Sequence, residues 1–166
     1  GSLALELEDV WFGYDGADVL RGVSFRVEAG ETVALVGSTG AGKSTLNLLV
    51  VRLLEAQRGR ITVGGVPVDD LDPIDLVERV SLVFQESFLF ADTLRANVGL
   101  AGLDEGWDDG HEARMLAAAD TAQVRRFVPR LPDGWDTVLG ERGVTLSGGQ
   151  RQRVALARAL MRRPRV

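Results

Sequence analysis

The chain has 166 residues, 45% hydrophobic and 26% charged, which suits one globular domain with a substantial core. A net charge of −5 argues against a general binder of nucleic acid or of an acidic membrane surface, although a phosphate site can still be built locally from backbone amides and one lysine. The lack of cysteine excludes disulfides and thiolate metal sites. Gly1 to Glu8 shows no basic start followed by an apolar run, so no leader is expected there. The most apolar helical stretch, Leu46 to Leu54, carries Asn47 and Arg52 and falls far short of the ~20 residues a membrane span needs.

Leu3, Leu5 and Leu7 alternate with polar residues, predicting a half-buried strand. A turn at Gly13-Tyr14-Asp15-Gly16 leads to a second alternating strand, Val23 to Val27. After a turn at Glu28 to Glu31, the apolar run Thr32 to Val36 predicts a strand buried on both faces of a parallel sheet. Gly37 to Gly42 reads as loop and Lys43 to Leu54 as the helix it feeds. Arg60 to Val68 predicts a strand and turn, and Val80 to Phe84 another buried strand. Beyond Gln85 the composition turns helical, over Thr93 to Val98, Glu112 to Ala119 and Ala122 to Phe127, with a loop around Gly106-Trp107-Asp108. The lone His111 sits in acidic surroundings and is expected at the surface. Gly148 to Arg163 is a strong helix prediction: Val154, Ala157, Leu160 and Met161 share a face, Ser147 stands at the cap position and Pro164 follows the end.

Gly37-Ser38-Thr39-Gly40-Ala41-Gly42-Lys43-Ser44 fits the phosphate-loop pattern, with a predicted strand before it and a helix after. Glycines allow the tight turn that brings backbone N–H groups to phosphate oxygens, and the helix start adds unpaired amides and the positive end of its dipole. Lys43 is a mobile charge for the outer phosphates, and the Ser44 hydroxyl is a candidate Mg²⁺ ligand.

The loop alone points only to a nucleoside triphosphate. Leu146-Ser147-Gly148-Gly149-Gln150-Arg151-Gln152-Arg153 narrows this, because it resembles the signature of ABC ATPases. The surroundings of Gln85 resemble their Q-loop, and Phe12-Gly13-Tyr14 their adenine-stacking loop, in family order from about Leu3 to Val166. The resemblance implies an α/β fold: a P-loop NTPase core of the RecA-like type, with a mixed sheet, an N-terminal antiparallel part and an inserted α-helical subdomain. Residues 1–85 plus 148–166 would form the core, its C-terminal part missing, and 86–147 the inserted subdomain. It further implies that Tyr14 stacks on the adenine of ATP, with Trp11 and Phe12 as competing candidates, and that Gly37 through Thr45 hold the triphosphate. Gln85 would help ligate Mg²⁺ and the attacking water, with Lys43 the second catalytic candidate. Ser147, Gly148, Gly149 and Gln150 would close over the γ-phosphate held by an opposing nucleotide-binding domain, in a homo- or heterodimer.

Phe88 to Val98 resembles the stretch after the Q-loop in exporters, and Thr137 to Gly143 their X-loop. The implied partner is a transmembrane domain contacted through the Gln85 and Glu141 regions, at the cytoplasmic face of the membrane. On chemistry alone, solvated surface charge is the lesser, alternative reading of Glu141 and Arg142. Soluble ABC-type ATPases acting on DNA or ribosomes, or a binding-only module, are the alternative readings. Phe84 stands where many relatives have proline. The family places an apolar strand ending in Asp-Glu, a D-loop and a switch histidine after the signature helix, whereas these residues run only to Val166. Little turnover and an incomplete sheet with exposed apolar edges are therefore expected.

Overall fold

A computed structural model describes residues 3–100, 109–140 and 145–166. The described residues form two compact units, one of residues up to Leu82 with Pro164–Val166, the other Val83–Arg163.

The first unit is built on a four-stranded antiparallel sheet in the order β2-β1-β3-β4, made by β1 (Leu3–Tyr14), β2 (Ala17–Glu28), β3 (Arg58–Val63) and β4 (Val66–Pro67). Asp15 and Gly16 turn between β1 and β2 with φ of 50° and 82°, the positive pair that a two-residue hairpin matching strand twist requires. Leu5 and Leu7 are buried, and so are Val10 and Phe12, so the buried parity changes midway along β1. The cause is a bulge: Asp9 sits at φ 47°, and the register slips between Leu7 and Val10 against β2 and between Glu8 and Trp11 against β3. Gly59 lies against this bulge at φ 88°, where a Cβ would come within 2.3 Å of the Asp9 carbonyl oxygen.

Helix α1 (Lys43–Val50) lays Leu46, Leu49 and Val50 into the same core. It ends four residues before the expected Leu54. Arg52 adopts φ 56°, its N–H donates to Leu49 O (3.0 Å), and the Leu53 N–H donates to Leu48 O (2.9 Å), the paired bonds of a Schellman stop. The Arg52 guanidinium is held by the Leu71 carbonyl at 3.0 Å, a tertiary contact that no local pattern announces. Helix α2 (Pro73–Arg79) was not anticipated, although Asp72 caps it through the Ile74 N–H and Pro73 opens it.

The expected buried strands at 32–36 and 80–84 are not formed as ladders. Thr32–Val36 carries no regular structure and is exposed, Val36 to 90%. An apolar run becomes a strand only where neighbours take its N–H and C=O groups, and no described residue does so here. At Val80, by contrast, one parallel rung exists: the Val166 N–H donates to Arg79 O (3.0 Å) and the Ser81 N–H to Val166 O (3.0 Å).

The second unit contains α3 (Leu94–Gly99), α4 (Asp109–Thr121) and α5 (Gly148–Met161) around Leu94, Val98, Met115, Ala119, Val154 and Ala157. Helix α5 falls in this unit, where its apolar face packs on α3 and α4. The segment Ala122 to Phe127 is not a full helix but a 3₁₀ turn at Val124–Arg126, entered through Gln123 at φ 59°. His111 is a further correction. It is fully buried, since on α4 it precedes Met115, Ala118 and Ala122 at helical spacing and shares their inward stripe. Arg95 joins α3 to α4 through Glu112 and also meets Asp136 at 3.3 Å. The Glu112 bond raises its guanidinium above the ordinary range, against the lowering effect of burial, with a smaller upward contribution from Asp136.

Candidate functional site

In the first unit the hairpin end and the loop before α1 come together. Gly42 occupies the N-cap position at φ 88°, where a Cβ would meet Leu20 Cδ2 at 2.7 Å and Val19 Cγ1 at 2.9 Å. Glycine therefore lets the loop close down on β2. Gly40 also has positive φ, 84°, with open space around it, and residues 37–41 are exposed. The Ala41 N–H donates to Ser38 O at 3.2 Å, tightening the turn. Lys43 folds back, and its ammonium donates to Gly37 O at 2.8 Å and Ser38 O at 2.7 Å.

Two properties follow for an anion. The start of α1 receives no side-chain cap, so its first-turn amides keep their donor capacity. The Lys43 ammonium is held by two neutral carbonyls, leaving one of its three protons and its whole charge available. Both fit a phosphate chain. Ser44 is exposed beside Lys43, while Thr45 is buried. Among the described residues no group of three His, Cys, Asp or Glu side chains stands ready for a metal. This donor set suits a Mg²⁺ that keeps water and phosphate oxygens as its main ligands.

Of the three candidate aromatics, Phe12 is buried and Trp11 is tied by its Nε1–H to Asp9 Oδ1 at 2.9 Å. Tyr14 is half-exposed, with its hydroxyl 3.4 Å from Thr45 Oγ1 and its ring edge-on to Phe12 at 4.9 Å. Tyr14 and the loop Gly37–Thr45 are thus neighbours at one end of the sheet.

Gln85 and Ser147–Gln150 lie in the second unit. Ser147 caps α5 with a complete capping box: its hydroxyl oxygen accepts from the Gln150 N–H (3.3 Å), and Gln150 Oε1 accepts from the Ser147 N–H (2.8 Å). Accepting that bond leaves the Ser147 O–H free to donate outward, and Gly148 and Gly149 are exposed. Gln85 has an exposed side chain, and its carbonyl accepts from Gln152 Nε2 at 3.3 Å. A depression of about 350 Å³ lies between them, lined by Gln85, Glu86, Ser87, Gly148, Arg151 and Gln152. Glu141 lies outside the described residues.

Sequence reasoning passed over Asn97 and Arg158, which hold the backbone at Phe88 and Phe90. Asn97 is buried on α3, and Arg158 is half-buried on α5, where desolvation lowers its guanidinium below the ordinary value. The signal available was an amide within the apolar stripe Leu94, Asn97, Val98.

Residues 20–166 match the protein family described as ABC transporter. The chain is 46% identical over 157 residues to an ATP-dependent lipid A-core flippase of Saccharophagus degradans, covering 94% of this chain and 26% of that protein. It is 46% identical over 165 residues to the cyclolysin secretion/processing ATP-binding protein of Bordetella pertussis, covering 98% and 22%. A solved bacterial Atm1-family ABC exporter with ATP bound superposes with a TM-score of 0.84 at 41% identity, over 96% of this chain and 27% of that one. The fold is thus that of a P-loop nucleotide-binding domain of the α/β class with a helical insertion. The chain belongs to the ABC transporter family, as an ATP-binding domain of the exporter type. It spans about a quarter of the length of these curated relatives.

Proposed function

We propose that the chain binds ATP with Gly37 to Thr45 around the triphosphate and Tyr14 against the adenine. In the full-length protein it would couple ATP binding and hydrolysis to export across a membrane, working at the cytoplasmic face. The observation that supports this best is the Lys43 ammonium, placed at an uncapped helix start with only neutral carbonyls as partners. Mg²⁺, when bound with ATP, would neutralise phosphate charge, with the Ser44 hydroxyl as a protein ligand and Gln85 as a further candidate. Ser147 to Gln150 are assigned to the γ-phosphate of a second nucleotide-binding domain, paired head to tail. The free Ser147 proton, the glycine amides and the helix dipole favour that anion. The Gln85 and Glu141 regions are assigned to contact with a transmembrane domain.

The 166 residues by themselves are expected to bind ATP, with turnover near background. Titration with ATP and Mg²⁺, alongside a turnover assay, tests both parts. Absence of any complex at millimolar ATP in folded protein overturns the nucleotide reading, and clear steady-state hydrolysis overturns the second.

A further inference from the structure

The backbone of residues 85–91 forms neither helix nor strand ladder, so besides Leu89, which packs on the core of the second unit, it is held by side chains reaching it from elsewhere. Three do. Gln152 on α5 donates to Gln85 O at 3.3 Å. Arg158, also on α5, donates from Nη1 to Phe88 O at 3.2 Å, and its guanidinium lies 5.3 Å from the centre of the Phe90 ring. Asn97 on α3 donates from Nδ2 to Phe90 O at 3.0 Å and accepts from the Phe90 N–H on Oδ1 at 2.8 Å. Arg158 and Asn97 are joined as well, through Nε to Asn97 O (2.9 Å) and Nη2 to Asn97 Oδ1 (3.1 Å).

The segment is therefore strapped along α5 at Gln152 and Arg158, roughly 9 Å apart at 1.5 Å of rise per residue. On its outer side it displays Phe88, 69% exposed, and Phe90, 42% exposed, whose rings meet edge to face at 5.1 Å. At its other end α5 begins with the capping box of Ser147 and Gln150. The signature turn thus opens the same helix to whose far part the aromatic pair is tied, through a forked guanidinium and a buried amide.

We propose that Asn97 and Arg158 are positioning residues that fasten the Phe88–Phe90 segment to the signature helix, so that movement at the Ser147–Gln150 turn and movement at the aromatic pair are one event. The inference rests on the reading of that turn as nucleotide-facing. Arginine suits the role because its planar fork reaches three acceptors at once, where a lysine would reach fewer.

The test is hydrogen exchange on the full-length protein, with and without ATP and Mg²⁺, for wild type, Arg158→Met, Arg158→Lys and Asn97→Ala. Met keeps the packing of the arginine stem and removes its donors. In wild type, ATP should slow exchange both at 145–153 and at 86–91. In Arg158→Met and Asn97→Ala, amides of 86–91 should exchange about tenfold faster without nucleotide, from the loss of their holding bonds. ATP should still slow 145–153 but no longer 86–91, while α4 keeps its protection. Arg158→Lys should restore part of the ATP response at 86–91.

The proposal is overturned if 86–91 responds to ATP in Arg158→Met and Asn97→Ala as in wild type. It is also overturned if α4 loses protection together with 86–91 in all three variants, which would make the pair a general element of stability. If wild type shows no ATP response anywhere, the nucleotide reading fails instead. The nucleotide-free rates at 86–91 then decide the strap by themselves: rates in Arg158→Met equal to wild type overturn it.

Discussion

Replacing Lys43 by alanine probes the phosphate loop most directly. Its ammonium gives two donors to Gly37 O and Ser38 O, at 2.8 and 2.7 Å, and keeps one. An incoming phosphate oxygen takes the third donor as a charge-assisted bond, worth about 1.5–3 kcal/mol. Because the two carbonyl bonds can persist, little must be broken to make it. Alanine removes that bond and also releases the loop that the lysine was bracing. A loss of about 2–3 kcal/mol corresponds to roughly 30–150-fold weaker ATP binding at 1.4 kcal/mol per decade. Lys43→Arg keeps the charge on a longer, flat head and should lose less. Calorimetric titration with ATP and Mg²⁺ measures all three proteins, and melting curves verify that they are folded. Affinity for Lys43→Ala within about threefold of wild type would refute the argument, because an ammonium in this position could not then be a phosphate ligand.

Two further perturbations separate geometry from chemistry. Gly59 and Gly65 both have positive φ, 88° and 81°, but a Cβ at Gly59 strikes the backbone of the Asp9 bulge whereas at Gly65 it meets nothing within 4 Å. Gly65→Ala should cost only the conformational term of about 1–2 kcal/mol, and Gly59→Ala a further ~1–3 kcal/mol or more for overlap. At about 2–4 °C per kcal/mol the two melting points should stand several degrees apart, and coincident melts would contradict the bulge geometry. Ser147→Ala removes the acceptor for the Gln150 N–H and should lower stability by about 1 kcal/mol. Ser147→Asp retains a cap and should melt near wild type, yet ATP-dependent pairing followed by sedimentation should be lost, since a carboxylate then faces the phosphate. Pairing that survives Ser147→Asp removes the signature turn from the interface.

What could be read from the sequence divides according to how many stretches of chain each feature needs. The glycine turn before α1 and the cap of α5 could be read locally because consecutive residues make them: Gly42 frees the backbone and Lys43 follows it directly, while Ser147 and Gln150 close their box within one helical turn. The Asp15-Gly16 hairpin is local in the same sense. Features that depend on a second stretch were read wrongly or missed. Thr32 to Val36 has the composition of a buried strand, but a strand is a relation between neighbours, and no described residue supplies its ladder. His111 looked like surface because its nearest charges in sequence are acidic. Its burial was decided instead by phase, since it occupies the same stripe of α4 as Met115 and Ala118. Arg52, just past the end of α1, is held by the distant Leu71 carbonyl, and Asp9 changed the parity of β1 against Gly59 on another strand. Even such pairwise features leave one trace in a single sequence, a polar residue at an apolar phase. Asn97 between Leu94 and Val98 is that trace: an amide kept inside a core must be hydrogen-bonded, and this one donates to the carbonyls of Phe90, Asp92 and Thr93.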